Sequence, residues 1–181
     1  MNYSIDELRA HAKENTYAVH GDIQDVDCVL GFSFGYIDTE SGIRPGKSNR
    51  QLAEYINATY PTTPLILQFE INDALAGRTA KYVIRESRQP GQYLDSREIA
   101  LQALEIMKDR KWNTVAVVTH PAMMARNDAL CTKLGMSTVA LSGLEHIDYD
   151  VDSAQPWTRD KIGWWQREEK VIEIGAENGW I

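Results

Sequence analysis

Four short runs along the chain are apolar without a break: "DCVLGF" near 27 to 32, "PLILQFEI" near 64 to 71, "TVAVVTH" near 114 to 120 and "STVALSG" near 137 to 143. Unbroken runs of this kind predict strands covered on both faces, since a strand with one wet side alternates instead. A fifth run, "AKYVIRE" near 80 to 86, predicts a weaker strand. Between the runs the period lengthens. From Asp95, "DSREIALQALEIMKDR" puts Ile99, Ala103, Ile106 and Met107 on one helical face, and Asp95 with Glu98 has capping-box spacing. The segment "PAMMARNDALCTKLG" opens with Pro121 in a first helical turn and stops at Gly135, which fits the preference for proline at a helix start and glycine past its end. Strand and helix therefore alternate. The pattern predicts one domain over residues 1 to 181, an α/β three-layer sandwich with a Rossmann-like, mostly parallel sheet of about five strands and right-handed crossovers.

That topology locates a site before any motif does, because ligands of open parallel sheets sit beyond the carboxyl ends of the strands where strand order reverses. Three strands followed by a return crossover would set "TVAVVTH" beside "DCVLGF". The loops Gly31 to Gly35 and Thr119 to Arg126 would then face each other across a crevice.

The candidate residues follow from that placement. Gly31 and Gly35 flank Ser33 and would let backbone N–H groups approach a ligand; a turn would use the same glycines. Glu70 stands where Rossmann-type proteins hold ribose hydroxyls, though farther from the glycines than the usual spacing of about 20 residues. "SGIRPGKSNRQLAEYI" imitates a phosphate loop, but the first glycine of that motif would fall on Ser41 and Gly42 comes one residue late. Lys47, Ser48, Asn49 and Arg50 remain as an anion site at a helix start, or as a cap with solvated cations. Asp95 and Ser96 carry the same two readings. Thr119 and His120 lead from a strand into a helix that carries Arg126, so His120 is the candidate catalytic acid or base, or else a structural hydrogen-bonding group.

Composition and charge narrow the classes. The chain has 181 residues, 43% of them hydrophobic, with 19 Lys+Arg against 26 Asp+Glu for a formal charge of -7. The overall field repels nucleic acid, so an anionic small molecule would need a local cluster of cations. Apolar runs of about five residues fall far short of the roughly 20 that span a bilayer, and the polar amino-terminus has no signal-type core. The expectation is a cytoplasmic protein with Cys28 and Cys131 as small buried residues. Asp148, Asp150 and Asp152 begin like a calcium loop, but Ser153 and Arg159 occupy its glycine and glutamate positions. His11, His20 and His146 have no ligand spacing, so no metal site is expected. All but one of the five tryptophans lie in "WTRDKIGWWQREEKVIEIGAENGWI", where Ile162, Trp164, Trp165, Val171 and Ile172 mark an apolar stripe. It would dock on the domain, or serve a homodimer or a protein partner.

Four segments in order, "CVLGFSFG", "YLDSREIALQALEIM", "VAVVTHPAMMARNDALCTKLGM" and "REEKVIEIGAENGWI", resemble the YdcF-like (ElyC/SanA/YdcF) family of bacterial proteins over residues 25 to 181. The family patterns fall on Asp95, Ser96 and Glu98 and on Val118, Thr119, Met124 and Arg126. The family histidine falls on Met123, and its Ser-Gly-Gly turn after the second strand falls in Gln68-Phe69-Glu70-Ile71. The resemblance implies a Rossmann-like fold with a polar cleft, a link to the cell envelope and, without an amino-terminal span, the soluble branch. Three functions are thus expected in turn. The first is binding of a nucleotide-like or adenosyl ligand such as S-adenosylmethionine across the Gly31 and Thr119 loops, possible transfer chemistry included. The second is catalysis on a phosphorylated or pyrophosphate-linked envelope precursor, using Lys47, Arg50, Arg126 and His120. The third is a non-catalytic interaction through the tryptophan-rich carboxyl-terminal helix.

Overall fold

A computed structural model describes residues 3–181. Its central sheet has five parallel strands in the order β5-β4-β1-β6-β7, formed by β1 (Cys28–Gly31), β4 (Leu65–Gln68), β5 (Tyr82–Ile84), β6 (Thr114–Val118) and β7 (Ser137–Val139). All of β1 and β4 and most of β6 are buried, as their unbroken apolar runs require. Helix α2 (Lys47–Thr59) carries the chain from β1 to β4, α4 (Ser96–Arg110) returns it from beyond β5 to β6, and α5 (Pro121–Lys133) leads on to β7. Right-handed crossovers running in opposite directions from β1 and β6 place α2 and α5 on opposite faces. Strand order reverses between β1 and β6, whose register pairs Gly31 with Val118.

Local chemistry sets the element ends. Asp95 caps α4 by accepting the Glu98 N–H at 2.8 Å; only half of the expected capping box forms, because the Glu98 carboxylate turns to Arg88 at 2.7 Å. The run after β4 leaves the sheet one turn early, entering the short helix α3 (Phe69–Asn72). The insertion after β1 folds as a hairpin of β2 (Ile37–Thr39) and β3 (Gly42–Arg44), with Gly42 at φ +105, where a side chain would be strained.

Every residue of α5 from Pro121 to Cys131 is buried. The outer side of α5 is covered by α1 (Ile5–Glu14) and α6 (Lys161–Glu177), and Leu8, Ala12, Ala125, Ala129 and Ile172 form a second small core there. Helix α1 begins with a full capping box between Ser4 and Glu7. The tryptophan-rich helix is thus part of the domain: Trp164 and Ile172 are buried, while Ile162, expected on the same stripe, is exposed. Burying two such side chains contributes about 1.5–3 kcal/mol each. Cys28 and Cys131 are free and buried. Among the described residues no helix is long and apolar enough to cross a membrane.

Candidate functional site

A cavity of about 330 Å³ opens at the carboxyl edge of the sheet. Its floor comes from the loop after β1 (Ser33, Phe34, Gly35) and the turn after β4 (Gln68, Phe69, Glu70). The start of α4 adds Asp95, Ser96 and Arg97, and α5 adds Met123 and Arg126. The carboxyl-terminal segment contributes Trp157, Trp164, Arg167 and Trp180, and the β2–β3 hairpin and the residue after β5 add Ile43 and Arg85. Six of the residues expected from sequence therefore meet here: Ser33, Gly35, Glu70, Asp95, Ser96 and Arg126.

The others have structural work elsewhere. A Cβ on Gly31 would lie 2.6 Å from a Leu67 methyl, so that glycine serves strand packing. The helix start at Lys47 to Arg50 is a correction to the expected anion site, because the chain supplies the anion itself. Asp150 accepts the Lys47 N–H at 2.6 Å, and Asp148 pairs with Lys47 Nζ at 2.7 Å. Ser48 donates to the Asp148 carbonyl, Asn49 bridges the Phe34 N–H and the Gly35 carbonyl, and Arg50 donates to the Pro45 carbonyl. Helix dipole and carboxylate are thereby matched internally. Glu98 is held down at about pKa 2 by its hydrogen bonds from Arg88, and Arg88 also binds Glu105. Thr119 is fully buried outside the cavity.

His120 is also corrected. Its ring is fully buried, stacks on Phe34 with centroids 3.9 Å apart, and accepts the Ala122 N–H at Nδ1. The imidazole caps α5 behind the cavity wall that Phe34 forms. Burial pushes its pKa down to about 3, which keeps it neutral at ordinary pH.

The segments that line the cavity differ in charge; on the sheet side Arg85 lies 5.8 Å from the Phe69 ring centroid and is paired with Asp73. At the sheet end, Glu70 is 5% exposed and its Oε2 has no partner. Burial raises its pKa to about 7; its own backbone and the Ser33 side chain oppose the rise and Asp73 adds to it, with no arginine among the influences. The carboxyl therefore keeps its proton to far higher pH than an exposed glutamate does. Gln68 is committed to the loop after β1, accepting the Ser33 N–H at 3.0 Å.

The other end is cationic. The Arg167 guanidinium lies 5.2 Å from the Trp157 ring centroid and 5.6 Å from that of Trp164, and Arg97 lies 5.1 Å from that of Trp180. Stacking fixes these planes without neutralising them. Among the described residues neither arginine has an ion pair or a side-chain hydrogen bond. Burial lowers the Arg167 pKa, with Arg126 adding repulsion and Glu168, Tyr93 and Asp95 opposing it. Arg126 is the exception, since its Nε donates to the fully buried Glu168 at 2.5 Å. Glu70 and Arg167 do not figure in each other's electrostatics.

Neither protein-family models, curated proteins nor solved structures include a match to this chain. The chemistry of the cavity rests on its own residues. Sequence reasoning missed Arg97, Arg167 and the stacking tryptophans. The available signal was the alternation of tryptophan and arginine through "WTRDKIGWWQR", a composition suited to flat anionic ligands.

Proposed function

We propose that the protein binds a nucleotide-like small molecule in this cavity, with its anionic group against Arg167 and Arg97, its ring system along the aromatic walls and a sugar hydroxyl at Glu70. The observation that carries this reading is that one cavity is lined both by arginines without an ion pair, Arg97 and Arg167, and by a buried carboxyl with one unpartnered oxygen, Glu70. A ligand charged throughout would leave Glu70 unsatisfied, and an apolar one would leave the partly buried Arg167 without an anion. At about 330 Å³ the cavity lies at the low end of the ~300–1,000 Å³ typical of small-molecule sites, which suits a mononucleotide better than a dinucleotide. Membership of the YdcF-like family belongs to the same proposal, and all four segments that resemble it contribute wall residues, among them Ser33, Asp95, Arg126 and Arg167. S-adenosylmethionine fits less well, since its sulfonium adds positive charge to a site already rich in arginine.

The envelope-precursor reading needs Lys47, Arg50 and His120 at one site, and those residues stand apart from the cavity. For the nucleotide reading, titration calorimetry with AMP, ADP and S-adenosylmethionine is the test. Arg167→Ala is expected to weaken AMP binding by about 10- to 100-fold, the scale of a charged hydrogen bond, with adenosine hardly affected. Equal loss for adenosine and AMP would remove Arg167 from the anion site.

A further inference from the structure

We infer that the cavity hydrolyses the N-glycosidic bond of a nucleoside 5′-monophosphate, with Glu70 as the acid that protonates the departing base. The inference rests on the nucleotide reading above and follows from which buried acid is free to give a proton. With the phosphate at Arg167, the phosphoester linkage lies at the arginine end, where the neighbouring acid Glu168 is already paired with Arg126. The bond from C1′ to the base lies toward the sheet end, where Glu70 is the buried acid with a free oxygen.

The surroundings of Glu70 suit that step. A proton donor in contact with arginine would ionise and hold its charge; no arginine figures in the electrostatics of Glu70, so the neutral acid persists to pH values near 7. Glu70 is 5% exposed, and Phe34 and Phe69 line the cavity with it. Histidine, the more common acid–base residue, is absent from the cavity: Met123 lines it and His120 is sealed behind Phe34.

The reaction balances without a further reactant. Glu70 gives its proton to a ring nitrogen of the base as the C1′–N bond breaks, and both bonding electrons leave with the base. The carboxylate so formed faces the cationic sugar carbon and stabilises it. A water oxygen then bonds to C1′ and a water proton returns to Glu70. Nucleoside monophosphate and water become free base and ribose 5-phosphate, and the enzyme is regenerated. The arginine end contributes binding energy remote from the breaking bond, which positions C1′ against the acid.

The experiment measures release of adenine from AMP by chromatography, with AMP affinity followed in parallel by calorimetry. Wild-type protein is expected to release adenine, faster from AMP than from adenosine, with a rate that falls as pH rises through about 7. Glu70→Gln keeps the shape and a hydrogen bond, so it is expected to retain AMP binding while losing roughly 100-fold or more of the rate. Glu70→Asp, an acid one methylene shorter, is expected to keep part of the activity and guards against a folding defect in the amide variant. Wild-type protein that binds AMP and releases no adenine would overturn this inference while leaving the ligand reading in place, as would equal release by Glu70→Gln. Failure of AMP to bind would overturn both.

Discussion

Replacing Glu168 with alanine is expected to destabilise the protein by about 3–5 kcal/mol, the usual cost of removing one partner of a buried ion pair. Glu168 is fully buried and Arg126 is 7% exposed, so truncation strands a guanidinium that water reaches poorly. The effect should be visible in the cavity as well, because Glu168 on α6 holds Arg126 on α5 and sits next to Arg167. Glu168→Gln, which keeps a hydrogen-bond acceptor but loses the charge, should cost less. Joint replacement by Arg126→Met and Glu168→Leu should recover most of the stability, since well-packed apolar pairs commonly match or exceed a buried salt bridge. Urea unfolding of the three variants is the measurement. A loss below about 1 kcal/mol for Glu168→Ala, the size typical of exposed pairs, would show that the bridge is solvated.

His120→Ala is expected to be comparably damaging, by roughly 3–5 kcal/mol as for a buried aromatic truncation, because it removes both the stacking partner of Phe34 and the cap of α5. A pH signature separates this structural role from a catalytic one. The folded pKa is about 3 against the ordinary histidine value of 6.5, so between those values the unfolded chain binds a proton that the folded protein does not. The histidine's contribution to stability is therefore present above pH 6.5 and is lost as pH falls toward 3. The destabilisation measured for His120→Ala by urea unfolding should accordingly shrink on acidification from pH 7 to 4. A fold that tolerates the alanine with less than about 1 kcal/mol lost, a surface-scale effect, would contradict the buried placement.

The sheet and its carboxyl-edge site were readable because they depend on patterns confined to single segments. Unbroken apolar runs marked four of the five strands and a weaker run the fifth, and Asp95 and Pro121 marked helix starts. Strand-end position then sufficed to bring Ser33, Gly35, Glu70, Asp95, Ser96 and Arg126 into the candidate site. What failed to read depends on partners distant along the chain. Lys47 looks like a free cation until the turn at Asp148 to Asp150 folds back onto the helix start. His120 looks like a reactive strand-end residue until Phe34 and Tyr149 cover it. Arg97 and Arg167 look like ordinary charges on helix surfaces, and only the positions of Trp180, Trp157 and Trp164 turn them into the cationic end of a cavity. The β2–β3 hairpin has strands of three residues each, too short for alternation to register.

The stacked arginines and the buried glutamate also differ in what they cost. An arginine held against tryptophan keeps its charge and needs little reorganisation to meet an anion. Glu70 Oε2, buried without a partner, is a polar atom of the kind folded proteins seldom retain unless a ligand uses it. Glu70 and Arg167 line the same cavity, and the proposed preference for a molecule that carries both an anion and a hydroxyl or leaving group rests on that pair.

The most direct measurement is the position of AMP in crystals soaked with it. The account predicts AMP inside the cavity, its phosphate against Arg167 and its ribose within hydrogen-bonding distance of Glu70. AMP bound elsewhere on the surface, or lying in the cavity with its phosphate at Glu70 and its sugar at Arg167, would contradict it.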